Sequence, residues 1–91
     1  MKNIPTNPGV IADENVPTKD VRVMERYGLN PLCIKNVKCG MSDEEVKSLG
    51  DKYGGITIAT YNIDHFQDYS PLIPLKRDTP IKKTLEYLGY A

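Results

Sequence analysis

The segment IADENVP, Ile11 to Pro17, decides the fold predicted for this chain of 91 residues. A short apolar run, Val10 to Ala12, ends at Asp13, and Pro17 then opens a helical pattern. A buried strand that leads directly into a helix is the first half of a βαβ unit, in which the next strand runs parallel to the first. The segment therefore predicts a parallel sheet with acidic side chains at the carboxyl end of its first strand.

The rest of the chain repeats this alternation of strand and helix. Pro74 lies inside the last apolar run, and proline cannot donate to a ladder, so this strand is expected at a sheet edge. The pattern predicts one α/β domain over residues 1–91 with a small, mainly parallel four-stranded sheet. The predicted elements after the first strand are a helix from Pro17, a strand at 31–37, a helix from Ser42, a strand at 56–60, the edge strand at 72–75 and a helix from Thr79.

The composition limits the class of protein. Twelve basic and twelve acidic side chains give no net charge, which argues against a protein that coats nucleic acid but leaves a local basic patch open. No apolar run approaches the roughly 18 residues of a membrane span. The first residues lack the apolar segment of a signal peptide. We therefore expect a cytoplasmic protein that has no membrane partner.

The two cysteines, Cys33 and Cys39, do not have the spacing of a zinc site. The expected compartment favours reduced thiols, one in a strand and one in a loop. A disulfide between them is the alternative.

Acidic and amide side chains follow several of the predicted elements. Asp13 follows the first strand, Asn62 and Asp64 follow the third, and the acids at 43–45 begin the second helix. Ligands of open parallel sheets bind beyond the carboxyl ends of the strands, so these groups are expected at one edge. Oxygen ligands of this kind suit Mg²⁺ or Mn²⁺, which can activate water and hold a phosphoryl group.

Each of these groups also has a purely structural interpretation. Ser42 and Glu45 have the spacing of a helix capping box, in which acids of the first turn favour the helix dipole. Asn62 and Asp64 suit an ordinary turn, and His65 suits a loop. The convergence of three such groups on one sheet edge favours the functional interpretation.

Three motifs together resemble the PIN-like nucleases: IADENVP at 11–17, SDEEV at 42–46 and T-x-N-x-x-H-F at 60–66. Their order and spacing are most similar to short PIN-like proteins that resemble the toxins of toxin–antitoxin pairs. The resemblance implies a three-layer α/β fold and a metal-dependent endoribonuclease with Mg²⁺ or Mn²⁺. It also implies an RNA substrate, an antitoxin protein as partner, and self-association into a homo-oligomer.

The resemblance assigns roles residue by residue. Asp13 and Asp43 match acids of the family, and Asp64, one residue from the usual position, would supply the missing charge. These three would hold the metal and act in catalysis, with Asn62 as a further catalytic residue. Ligands and water would be oriented by Asn15, Glu44 and Thr60, and both Glu44 and Glu45 are alternatives to Asp43. Apart from the resemblance, the basic side chains are candidate phosphate contacts, although solvated surface positions are the simpler interpretation: Lys19, Lys35, Lys38, Lys76 and Arg77.

The third motif departs from the family pattern in two places. Asn62 stands where an acid is common, and His65 stands where another branch has its acid. Two functions therefore stay open, an active ribonuclease of the toxin type and a PIN-like module without catalysis that binds a partner protein or itself. A phosphoreceiver domain also has acids after its first and third strands, but it needs a larger sheet than this chain supplies.

Overall fold

The computed structural model describes residues 5–90. The strands within this range are β1 (Val10–Ala12), β2 (Pro31–Cys33), β3 (Thr57–Thr60) and β4 (Leu72–Pro74). The helices are α1 (Thr18–Arg26), α2 (Asp43–Lys52) and α3 (Ile81–Tyr87), and 3₁₀ turns cover Ile34–Asn36 and Ile63–Phe66.

The four strands form one parallel sheet in the order β2-β1-β3-β4. β1 and β3 are therefore the central strands, and β4 lies at an edge, as Pro74 predicted. The chain leaves β1 through α1 to reach β2 on one side, and it returns through α2 to place β3 on the other side of β1. The predicted mainly parallel α/β sheet is confirmed.

Two apolar cores cover the two faces of the sheet, because successive strand side chains point to opposite faces. On one face, Val10 and Ala12 pack with buried residues of α1 and α3. On the other face, Ile11 packs with Val46 of α2 and with Phe66 of the Ile63–Phe66 turn. The result is three layers, with α1 and α3 on one face and α2 on the other.

The start of α2 is held by the predicted capping box. Ser42 Oγ accepts a hydrogen bond from the Glu45 backbone N–H at 3.1 Å, and Glu45 Oε1 accepts one from the Ser42 N–H at 3.0 Å. These bonds satisfy N–H groups that have no partner inside the helix. The box fixes where the helix begins, and so fixes the position of Asp43, its first residue.

The second strand is shorter than the predicted range 31–37. β2 ends at Cys33 because its partner β1 ends at Ala12, the residue opposite Cys33 in the register. The chain then turns, and the Val37 backbone N–H donates to the Ile34 carbonyl at 2.8 Å. Ile34 stays fully buried in the second core, so its apolar character reflects packing beneath the sheet rather than a longer strand.

The cysteines agree with the reduced interpretation. Cys33 lies in β2 and Cys39 in an exposed loop, and both are free thiols. Burial raises the pKa of the Cys33 thiol, which makes it less reactive at neutral pH. Among the helices of residues 5–90, none is long and apolar enough to cross a membrane.

Candidate functional site

A crevice is expected where the carboxyl ends of β1 and β3 lie side by side at the centre of the sheet. After β1 the chain enters α1, which packs on the first face. After β3 it enters the Ile63–Phe66 turn, whose Phe66 is buried on the second face. When the chain leaves neighbouring parallel strands toward opposite faces, the carboxyl ends of those strands border a ligand-binding crevice. Asp13, directly after β1, and Thr60, the last residue of β3, lie at this edge of the sheet, here called the crevice.

Asp13 is the most buried acid of the crevice, with 7% of its surface exposed. Its Oδ1 accepts from the Glu14 backbone N–H at 2.8 Å, and its Oδ2 accepts from Thr60 Oγ1 at 2.7 Å. None of the ion pairs found within residues 5–90 includes Asp13. Neutral donors alone therefore hold this carboxylate, although buried carboxylates are usually paired with a cation.

Thr60 joins the loops that follow β1 and β3. It is fully buried, and its Oγ1 donates to Asp13 while accepting from the Asn62 backbone N–H at 2.9 Å. Oγ1 also accepts from Asn15 Nδ2 at 3.3 Å. A hydroxyl offers one donor and two acceptor positions, so these three contacts use the whole hydrogen-bonding capacity of the Thr60 side chain.

Asn15 forms a second link between the same two loops. Its Nδ2 lies 3.4 Å from Asp13 Oδ2, a long contact, and its Oδ1 accepts from the Tyr61 backbone N–H at 3.2 Å. The predicted orienting residues Asn15 and Thr60 therefore both touch Asp13.

His65 connects the turn after β3 to the start of α2. Its Nδ1 lies 2.6 Å from Asp43 Oδ2 and 3.0 Å from Asn62 Nδ2. Since an ionised carboxylate only accepts, we assign the proton of Nδ1 to the bond with Asp43. A flipped Asn62 amide, which presents its oxygen to the ring, then removes the conflict between two donors.

These contacts make a polar chain that runs Asp13–Thr60–Asn62–His65–Asp43, in which Asn62 uses its backbone N–H toward Thr60 and its side-chain amide toward His65. Asp64 lies outside it, exposed in the Ile63–Phe66 turn. Within residues 5–90, no three His, Cys, Asp or Glu side chains stand together as a metal-binding group. Asp13, Asp43 and Asp64 thus do not form a preassembled ligand cluster, and metal binding by them stays a prediction.

The two alternatives to Asp43 are engaged elsewhere. Glu45 closes the capping box and pairs with Lys38 at 3.0 Å. Hydrogen bonding from the Ser42 N–H, followed by the contact with Lys38, lowers the pKa of Glu45. Glu44 is exposed and lies 3.8 Å from Lys47. Asp43 is therefore the acid of this helix start that reaches the crevice residues.

The predicted phosphate contacts fall into different environments. Lys38 is paired with Glu45, and Lys35 Nζ donates to the Val16 carbonyl at 3.2 Å, one residue beyond Asn15. Lys19 is exposed near the start of α1. Lys35, together with Arg77 over the Tyr61 ring, is thus brought beside the crevice.

A second polar contact braces the loop after β3. The Tyr61 hydroxyl donates to the buried carboxylate of Asp20 on α1, and the Arg77 guanidinium lies 5.1 Å from the centre of the Tyr61 ring. Burial, reinforced by the bond to Asp20, raises the pKa of Tyr61 to about 12. Tyr61 therefore ties the loop that carries Asn62 to α1.

Sequence reasoning missed the links made by His65 and Tyr61. The signal for Tyr61 was an aromatic residue with a polar tip directly after a buried strand, since a buried hydroxyl needs a partner. The signal for His65 was weak, because its partner Asp43 lies 22 positions earlier. Only the packing of α2 against the turn brings the two together.

The donor chemistry of the crevice fits a hard divalent cation. Asp13 Oδ1 accepts one hydrogen bond and keeps a second lone pair, and Asp43 is bonded through Oδ2, which leaves Oδ1. Mg²⁺ usually binds one or two protein carboxylates and keeps several waters, so it does not need a complete protein cage.

No family model, curated protein or solved structure matches this chain. Fold and crevice define it as a three-layer α/β protein with a buried acid at the switch point of its sheet.

Proposed function

We propose that this protein is a metal-dependent endoribonuclease of the PIN-like type, using Mg²⁺ or Mn²⁺, and the toxin component of a toxin–antitoxin pair. The observation that carries the proposal is Asp13, a buried carboxylate without a cationic partner among residues 5–90. It stands where open parallel sheets bind ligands. A cation bound there would offset the unfavourable burial of this charge.

The residues of the polar chain have distinct roles in this proposal. Asp13 would hold the ion, while Thr60 and the Glu14 N–H keep its carboxylate in one orientation. Asp43 would be the second ligand through Oδ1, with His65 fixing the other oxygen. When bound, the ion supplies a water of lowered pKa and positive charge at the phosphate.

Asn62 and Asp64 complete the proposed site. Asn62 lies two residues after β3, with its backbone N–H bonded to Thr60, and its amide would orient a water or a phosphate oxygen. Asp64 faces solvent and would join only after the turn adjusts. Because Asn62 carries no charge and Asp64 must first approach the other ligands, we expect slow cleavage.

The test is cleavage of single-stranded RNA with Mn²⁺ by three purified proteins: wild type, Asp13→Asn and Asp51→Asn. Asp51 is an exposed acid on α2, outside the polar chain, so its variant is a matched control for loss of one charge. We expect wild type and Asp51→Asn to cleave and Asp13→Asn to be inactive. Equal activity of all three would mean that any cleavage comes from a contaminant, and the proposal would fail.

A non-catalytic PIN-like module is the second candidate function, favoured by Asn62 at an acid position and by the use of Asp43 Oδ2 by His65. Such a module would bind an antitoxin-like partner protein or form a homo-oligomer. Metal binding that depends on Asp13, without cleavage that depends on Asp13, would favour it. A neighbouring gene for a small DNA-binding antitoxin would favour the ribonuclease.

A further inference from the structure

A groove of about 380 Å³ lies between the end of β4 and the outer surface of α3. It is separate from the polar chain around Asp13. Its floor and walls are formed by Pro74, Lys76, Thr79, Lys83, Thr84, Tyr87 and Leu88.

The groove combines positive charge with an open aromatic ring. Lys76 and Lys83 line it, and none of the lining residues is acidic. Neither lysine takes part in an ion pair found within residues 5–90. Tyr87 is 89% exposed, so nearly its whole ring is open to contact. Cationic grooves with exposed aromatic rings are the usual binding surface for single-stranded nucleic acid.

The groove begins beside the crevice. Pro74 pairs with Thr60 in the register of β3 and β4, and the Leu75 N–H donates to the Thr60 carbonyl at 2.9 Å. Adjacent strands lie roughly 4.8 Å apart, so the end of β4 is one strand spacing from the base of the crevice. Arg77 follows the groove residue Lys76 in the chain, and its guanidinium lies over the ring of Tyr61, which precedes Asn62.

We propose that the groove binds single-stranded RNA next to the crevice, with phosphates on Lys76 and Lys83 and a base stacked on Tyr87. The inference rests on the proposed function, since it assigns the surface that binds the RNA strand beyond the cleaved bond. Charge complementarity favours RNA over a second copy of this neutral chain, because the groove carries lysines and no acid.

The test measures binding without cleavage. A labelled oligouridylate of about ten nucleotides, within the range of single-strand binding sites, is titrated with protein in EDTA and followed by fluorescence anisotropy. We expect Tyr87→Ala to weaken binding by about five- to 150-fold, the range for loss of one stacked base, and Tyr87→Phe to bind like wild type. Because the Tyr87 side chain is so exposed, neither change should unfold the protein.

The matched pair for charge is Lys83→Ala and Lys82→Ala. Both lysines are exposed on α3, but only Lys83 lines the groove. We expect Lys83→Ala to weaken binding and to reduce the slope of log Kd against log salt by about 0.7, the value for one phosphate contact on a single strand. Lys82→Ala should leave both quantities unchanged.

Several outcomes would overturn the proposal that the groove binds RNA. Equal losses for Lys82→Ala and Lys83→Ala would indicate nonspecific attraction, and absence of wild-type binding would remove RNA as the occupant. A dimer that Tyr87→Ala dissociates, without RNA binding, would assign the surface to self-association. If wild type cleaves RNA and the groove variants bind RNA as tightly as wild type does, RNA binding by the groove would be overturned, while the proposed ribonuclease function would stand. If RNA binding changes among the variants as expected but wild type does not cleave RNA, RNA binding by the groove would be supported and the proposed nuclease activity would be overturned.

Discussion

The two halves of the polar chain differ in how firmly they are held. The half between β1 and β3 is buried, and there Asp13 and Thr60 are held by several hydrogen bonds at the carboxyl edge of the sheet. In the half at the start of α2, the Asp43 and His65 side chains are 35% and 60% exposed and meet through one contact. One half of the site is therefore part of the core, while the other can adjust to a ligand. Each prediction below tests this difference, from the largest expected effect to the smallest.

Thr60→Val should have the largest effect on stability. The substitution keeps the shape of the side chain but removes the hydroxyl that serves Asp13, Asn15 and Asn62. Loss of a buried bond to a charged group costs about 2–3 kcal/mol of unfolding free energy. Urea denaturation measures this, and Thr57→Val in the same strand is the control, expected near zero. A loss for Thr60→Val no larger than that of its control would mean that the buried half is not rigid.

Ser42→Ala tests how the start of α2 is held in place. The substitution should lower the unfolding free energy by about 1 kcal/mol, as loss of a helix N-cap does. The Ser42 backbone N–H lowers the pKa of Glu45, so the part of the box that the Glu45 carboxylate contributes is present above the ordinary pKa of 4.5 and is lost as pH falls through the lowered pKa. Ser42→Ala keeps this N–H, so wild type and variant should lose that part alike. Urea denaturation at neutral and acid pH checks both statements. An unchanged stability would show that packing alone fixes the start of the helix.

Tyr61→Phe tests the brace beside the buried half through its pH dependence. Burial and Asp20 raise the pKa of Tyr61 from 10.0 to about 12, so the folded state favours the neutral hydroxyl. The resulting stabilisation is complete below pH 10 and is lost as pH rises through about 12. Melting temperature should therefore fall over this interval more steeply in wild type than in Tyr61→Phe. If the melting temperatures of the two proteins fall equally with pH, the hydrogen bond from Tyr61 to Asp20 does not stabilise the fold in this way.

Asp43→Asn should have the smallest effect on the metal-free protein. The new amide can still accept from His65, and exposed ion pairs contribute below about 1 kcal/mol, less at high salt. Urea denaturation at low and high salt measures this. A loss as large as that of Thr60→Val would place Asp43 in the structural core and remove it as an adjustable ligand.

Local signals explain what the sequence predicted correctly. The alternation of apolar runs and helix starts gave the parallel sheet, Pro74 gave the edge strand, and the spacing of Ser42 and Glu45 gave the capping box. The predicted length of β2 was wrong because the length of this strand depends on where its partner β1 ends. The contact between His65 and Asp43 and the groove beside α3 depend on how helices pack, which no short sequence pattern encodes.

The most direct test of the account is Mn²⁺ binding to wild type and to Asp13→Asn, measured by calorimetry, with circular dichroism confirming that both are folded. The account predicts that wild type binds Mn²⁺ and that Asp13→Asn binds much more weakly, while Asp51→Asn binds like wild type. Mg²⁺ should compete for the same site, since both ions take oxygen ligands. Binding of Mn²⁺ by folded Asp13→Asn with wild-type affinity would contradict the central claim that the buried acid at the switch point holds the metal.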